Sequence, residues 1–341
     1  MTDRPLGDLL ACPVVVAPMA GGPSTPGLVV AAAKAGAVGF LAAGYKTAAA
    51  MRTEMDTVRA ATREAFGVNV FVPGAPTTDP AALAAYLESL APDAAALGAT
   101  LGEAQWEDDH WGTKIEILLE DPPAIVSFTF GCPEAQLVTK LQAAGSQVWI
   151  TVTQAREAAI AAAIGADALC VQGTDAGAHR GIFSDSASPD TEPDLLSLVA
   201  ELHSLTDLPL LAAGGIADRE DVLAALDAGA VGVQCGTVFL RCPESGTHAV
   251  HRAALGDPRF EETAVTRAFS GRPARGLLNQ FMLDHPDAPA AYPEINSATR
   301  PLRAAAAAAG DAQRLSLWAG TGYGLATDQP LATIINRLCG R

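Results

Sequence analysis

Aromatic residues are scarce: Phe, Trp and Tyr together make up 5% of the 341 residues. A core must therefore be built mainly from Ala, Val, Leu and Ile, and the apolar fraction of 49% supplies enough of them. Basic residues are also few, 22 Lys and Arg against 38 Asp and Glu, for a formal net charge of −16. Without a Lys/Arg cluster to break it, that field repels nucleic acid and anionic membranes, so an anionic ligand must be held by local donors. No stretch reaches the roughly 18 uninterrupted apolar residues of a membrane span. Met1–Leu10 carries acids and no apolar centre, so no secretory signal is expected there. These absences lead to the expectation of a soluble, cytoplasmic protein without nucleic-acid or membrane partners, a composition compatible with a homo-oligomer. The cysteines at 12, 132, 170, 235, 242 and 339 form no CxxC and no metal-ligand spacing with the histidines, so no metal is expected. Cytosolic disulfides are rare, and Cys170 and Cys235 lie in apolar runs, so buried thiols are expected.

What the chain does have is a series of short apolar runs bounded by Gly, Pro or Asp. Strands are predicted at Val14–Ala17, Val38–Leu41, Val68–Phe71, Ala124–Phe128, Val148–Thr151, Ala168–Gln172, Leu210–Ala213 and Val231–Cys235. Each is continuous rather than alternating, as in strands buried on both faces of a parallel sheet. Most intervals suit one helix and two loops. Thr25 and Pro26 open a helix that stops at Gly36. Thr153, followed by Gln154, Arg156 and Glu157, opens an Ala-rich helix ending near Gly165. Asp218 caps a helix with Glu220 and Asp221 in its first turn and Gly229 after it. Repeated β and α units imply right-handed crossovers, and eight of them imply a closed (β/α)8 TIM barrel.

Two intervals are long. One holds an acidic stretch around Trp106–Trp111, and the other a loop, Gly173–Glu192, of a length that usually signals function. After the eighth strand the chain shows helices but no strand signal. Residues 1–240 are thus expected to form the barrel, and 241–341 a helical extension capping its mouth, within one structural domain.

Active sites of such barrels lie at the carboxyl ends of the strands. The first strand ends in Pro18–Gly22. The third carries Asn69 inside an apolar run, where a buried amide needs partners. The seventh runs into Gly214 and Gly215, and the eighth into Gln234, Cys235, Gly236 and Thr237. The loops after strands seven and eight form the recurrent phosphate site of this fold, where glycines let backbone N–H groups approach the anion. No GxGxxG follows any strand, so the phosphate belongs to something other than a dinucleotide. The sixth strand leads into Gln172–Gly181, which carries His179, a histidine able to exchange protons near neutral pH if its pKa is ordinary. Asp175 reads equally as a ligand to a cofactor hydroxyl or as a turn residue.

In order along the chain, Ala17–Pro26, Ala43–Tyr45, Gly67–Pro73, Ser127–Pro133, Gln172–Gly181, Ala213–Ile216, Gln234–Thr237, Tyr292-Pro293, Thr299–Leu302 and Ser316–Gly320 resemble the nitronate monooxygenases, historically 2-nitropropane dioxygenases, nearly end to end. The resemblance implies FMN as cofactor, contacted by Asn69, Gln172 and Gly177 near its ring and ribityl chain. It implies that Gly214, Gly215, Gln234, Cys235, Gly236 and Thr237 hold the chain and phosphate, and that Met19, Ala20 and Gly21 border the ring. His179 stands where the family has its active-site histidine, there to bind nitronate oxygens or to deprotonate a nitroalkane carbon. The implied reaction oxidises an alkyl nitronate with O2 to a carbonyl compound and nitrite, with no external reductant. One departure stands out: the family's motif is Glu-Ala-Gly-Gly-His, and this chain has Asp175 and Ala178. If the second glycine needs a positive φ, Ala178 carries about 1 kcal/mol of strain.

Three alternatives stay open at this level. An FMN- and NAD(P)H-dependent enoyl-acyl-carrier-protein reductase shares the barrel and a similar histidine motif. A non-redox lyase or isomerase would use the same phosphate site, and a flavin-binding protein without catalysis would keep it. Flavin colour and the choice of reductant separate them.

Overall fold

The computed structural model describes residues 12–185 and 193–341. The Met1–Leu10 segment and residues 186–192 of the long loop lie outside the described residues. Eight parallel strands close into a barrel, with the first pairing the second on one side and the eighth on the other. They run Val14–Val16, Val38–Ala42, Gly67–Phe71, Ile125–Thr129, Gln147–Val152, Ala168–Gln172, Leu210–Ala213 and Gly232–Cys235, each within one residue of its predicted bounds.

Side chains alternate across each strand, so every second residue points into the barrel. The lower inward layer is an apolar plug of Val15, Val38, Phe40, Ile125, Trp149, Ala168 and Leu211. Its scarce aromatics do the filling: the rings of Phe40 and Trp149 sit 5.5 Å apart. Gly67 makes this possible, because a Cβ there would lie 2.1 Å from the Phe40 ring. Two residues further along the strands the layer turns polar, with Asn69, Ser127, Thr151, Cys170 and Gln234. Packing between strands and outer helices forms the larger apolar cluster.

Helix starts follow their capping chemistry. The Thr25 hydroxyl accepts from Leu28 N ahead of helix Pro26–Lys34, and Asp218 and Asp221 form a capping box ahead of Arg219–Asp227. Helix Ala155–Ala163 differs from expectation, since Gln154 occupies its N-cap. Thr153 instead gives its N–H and hydroxyl to the buried carboxylate of Glu157, at 2.7 and 3.0 Å.

The extension is not purely helical. Strands Thr263–Thr266 and Ala274–Leu277 form an antiparallel hairpin, and the two-residue strand Ala178–His179 joins its edge, His179 opposite Ala274 and Ala178 opposite Arg275. These strands are short and mix Thr, Arg and Gly with apolar residues, so neither a continuous nor an alternating pattern marks them. The all-thiol expectation is also corrected. Cys12 and Cys339 are joined, 327 residues apart in sequence, linking the start of the first strand to helix Leu331–Cys339. Cys170 and Cys235 are buried thiols as expected. Among the described residues no helix is long and apolar enough to cross a membrane.

Candidate active site

A cavity of about 420 Å³ opens at the carboxyl ends of the strands. Its floor is the polar inward layer, and its roof comes from the loop 173–181 and the extension. Met19, Ala20, Gly21, Asn69, Gln172, Gly177, His179, Gly214, Gly215, Gln234, Cys235, Gly236 and Thr237 all line it, so the structure brings together every site residue expected from sequence. Asp175 is not among the lining residues. Its carbonyl instead accepts from Thr321 N at 3.2 Å.

One end is made of backbone. Gly214 and Gly215 take φ of +119° and +74°, conformations that L side chains rarely adopt. The N–H groups of Gly215, Ile216, Gly236 and Thr237 meet no acceptor among the described residues, although Ile216 is buried. Free backbone N–H groups clustered at one end of a cavity are able to receive an anion's oxygens. The tail closes over this end. Gly320 N donates to the Thr237 hydroxyl at 2.9 Å, and a Cβ on Gly177 would lie 2.4 Å from Gly320 N. The absence of a side chain at Gly177 is therefore needed for this tail contact.

On the floor, Asn69 Nδ2 donates to the hydroxyls of Ser127 and Thr129 at 2.9 and 3.0 Å, which leaves its Oδ1 for a ligand. Gln172 is mostly engaged within the loop. Its Oε1 accepts from Gly181 N at 2.7 Å and from Arg180 Nη1 at 3.1 Å, and its Nε2 donates to the His179 carbonyl at 3.0 Å.

The other end is made of side chains. His179 Nε2 lies 2.8 Å from the Ser270 hydroxyl, so Nδ1 is the ring nitrogen left to a ligand. The rings of Phe130, Tyr292 and Trp318 surround the imidazole, with centroids 5.5 to 5.9 Å away. Burial, then the charges of Arg272 and Arg303, push its pKa down to about 3. The expectation of an ordinary titrating histidine is thereby corrected: at neutral pH His179 is an uncharged imidazole and a weak base.

The cavity's charge comes from Arg303. Its Nη2 donates to the Asn296 carbonyl and side-chain oxygen at 2.8 and 2.9 Å, and its Nε to the Thr299 hydroxyl at 3.2 Å. Burial lowers its pKa only to about 10, so it remains a cation. No Asp or Glu is among the lining residues. Tyr45 lines this end and Tyr292 backs it, their hydroxyls 3.2 Å apart. The sequence reading missed Arg303, along with Ser270 and Arg272. Arg303 follows the matched Thr299–Leu302 segment directly, and its place four residues after Thr299 on a helix was the signal that it shares that face.

Ala178 has φ of +62°, the left-handed conformation that the departure from two glycines raised as a question. The alanine therefore bears the strain of a positive φ, and His179 beside it pairs with the hairpin edge.

The family profile described as nitronate monooxygenase matches residues 4–340. A nitronate monooxygenase of Pseudomonas aeruginosa is 40% identical over 99% of this chain and 98% of its own length. The crystal structure of nitroalkane oxidase from Streptomyces ansochromogenes has a TM-score of 0.96 at 45% identity, covering 98% of this chain and 96% of that one. FabK from Thermotoga maritima is more distant, with a TM-score of 0.73 at 25% identity over 98% of this chain and 94% of that one. Members of the family generally depend on a flavin. Fold, cavity and sequence agree, and the chain belongs to the nitronate monooxygenase family.

Proposed function

We propose that this protein binds FMN in the cavity and oxidises an alkyl nitronate with O2, giving a carbonyl compound and nitrite. The carrying observation is the charge of the cavity wall: a cation, Arg303, and no carboxylate, in a chain of net charge −16. That wall favours a small anion over a neutral or cationic substrate. The four free N–H groups at the glycine end would hold the phosphate, and Asn69, Gln172 and Gln234 would meet the ring and chain. When bound, the flavin supplies the electron acceptor.

The chain's own residues bind, orient and enclose. Arg303 provides charge for the nitronate oxygens, and His179 offers Nδ1 without adding charge. Phe130, Tyr292 and Trp318 enclose the imidazole with apolar surface, which strengthens each polar contact by excluding water. A weakly basic His179 suits a substrate that arrives already deprotonated. The nitronate is therefore the preferred form, and the neutral nitroalkane the poorer one. Residues 241–341 supply part of the cavity wall, so barrel and extension are read as one structural domain.

The test is anaerobic mixing of the yellow protein with ethyl nitronate and, separately, with NADH and NADPH. Bleaching by the nitronate alone is expected, and acid or heat should release FMN. Bleaching by a nicotinamide but not by the nitronate would replace this reading with a reductase. A colourless protein that takes up no FMN would end it.

A further inference from the structure

We propose that the buried Lys114–Asp109 ion pair, outside the barrel wall, is the positioning device for Tyr45 and through it for the substrate end of the cavity. The inference rests on the nitronate reading above. Lys114 lies on helix Trp111–Glu120 with its side chain fully buried, and its Nζ is 2.7 Å from Asp109 Oδ2. The same ammonium donates to the Ala43 carbonyl at 2.9 Å, while Asp109 Oδ1 accepts from Tyr45 N at 3.0 Å. The pair therefore grips both sides of the turn that leaves the second strand. The acidic, Trp-containing stretch between strands three and four, left without a role by its sequence, carries this grip.

Two observations argue for more than stabilisation. First, a buried ion pair is replaced by apolar residues without loss in many proteins, so its presence calls for a geometric reason. Second, the geometry it enforces is strained. Tyr45, Asp109 and His110 take φ of +65°, +53° and +57°, three non-glycine left-handed residues at one junction. Such strain persists only where surroundings over-determine it, and it clusters at functional sites. Here it delivers the Tyr45 side chain into the cavity wall. The ring meets Phe71 edge-on at 5.5 Å, and the hydroxyl reaches that of Tyr292. Gly44 leaves room for the turn, since a Cβ there would lie 2.3 Å from the Phe71 ring. Both phenols lie within the electrostatic reach of Arg303. The pair thus sets the Tyr45 hydroxyl, and through it that of Tyr292, within electrostatic reach of the cation that would receive the anion.

The experiment is a double-mutant cycle in the flavin-loaded enzyme between Asp109→Ala/Lys114→Met, which removes both charges together, and Tyr45→Phe. Losing the grip is expected to raise KM for ethyl nitronate by about fivefold, the equivalent of one hydrogen bond, with kcat and flavin content held within about twofold. In the Tyr45→Phe background the same change is expected to add nothing, because the hydroxyl it places is gone. Asp109→Asn/Lys114→Met keeps an oxygen for Tyr45 N but gives up the hold on the Ala43 carbonyl, and is expected to recover only part of the wild-type KM. Multiplying effects, or a fall in kcat and flavin content at constant KM, would overturn the proposal in favour of a scaffold role. Should the Ala/Met variant not fold, Asp109→Glu enters the same cycle with the same outcomes, since it keeps the charge pair but displaces the acceptor. The cycle is also read without turnover, as the Kd of nitrate, a planar anion, from its effect on flavin absorbance. Coupling in that Kd with no nitronate oxidation would sink the proposed function and leave the positioning role standing.

Discussion

The two ends of the cavity are built from different materials. The glycine end uses backbone N–H groups from two short loops, each directly following a barrel strand. The arginine end uses side chains at 45, 130, 179, 292, 303 and 318, drawn from loops, a hairpin edge, the helix Glu294–Ala309 and the tail. Backbone donors carry no net charge and are fixed by φ and ψ, so they suit a permanent anion held in one pose. Side chains adjust in charge and shape, which suits a substrate that must enter, react and leave. The division fits the proposed assignment of a cofactor phosphate to one end and a substrate anion to the other.

The sharpest way to break this comparison is Gly215→Val. The residue has φ of +74°, and a Cβ there would lie 3.0 Å from Asp175 Cβ. A β-branched residue in that conformation must displace the loop that carries the free N–H groups. Flavin occupancy is expected to fall by roughly tenfold or more, while circular dichroism stays near wild type because the loop is outside the core. Full occupancy would show that the glycine pair is only a turn.

The same contrast decides what the sequence revealed. The glycine end was legible because strand, glycine and helix follow one another in the chain, and the fold's rule assigns phosphate to those loops. Asn69 was legible as a polar residue inside an apolar run. Ser270 and Arg272 were not, since nothing local distinguishes them from surface residues of an extension, and Arg303 was marked only by its spacing from Thr299. They acquire meaning only when the hairpin 263–277 and the helix Glu294–Ala309 pack over the mouth. The hairpin was itself hidden by its brevity and mixed composition. His179 was legible in place but not in charge, because its lowered pKa comes from burial and from two arginines distant in sequence.

Arg303→Leu tests the other end. Removing a charge-assisted contact of about 1.5–3 kcal/mol is expected to raise KM for ethyl nitronate roughly 10- to 100-fold. Neutral nitroethane should be affected far less, and flavin content should stay full. Equal losses on both substrate forms would show that the guanidinium supports structure rather than receiving the anion.

A smaller effect concerns acid. His179 and His251 are held at about 3 and about 4, below the ordinary 6.5, mainly by burial. Between those values and 6.5 the unfolded chain binds protons that the native state does not, so stability rises with pH there and falls as pH drops. The Tm is expected to decline from pH 6.5 towards 4, and His251→Gln should flatten that decline. On preformed nitronate, kcat/KM should show no His179 titration between pH 5 and 8. A step near 6.5 that disappears in His179→Asn would mean the imidazole is not held neutral.

The smallest expected change is Ala178→Gly, which restores the family's second glycine. At φ of +62° the alanine methyl carries about 1 kcal/mol of strain, which glycine would relieve. Glycine also loses more freedom on folding, an opposing effect of about 0.5–1 kcal/mol. The two nearly cancel, so Tm should move by no more than about 2–4 °C. His179 is held independently, by Ser270 and by the pairing of its strand with Ala274. For that reason kcat/KM on ethyl nitronate should change by less than about twofold. A tenfold loss in kcat/KM would show that the alanine itself aims the imidazole. A tenfold gain would show that the strained loop holds His179 short of its best position, and that the hairpin edge does not fix it as tightly as its hydrogen bonds suggest.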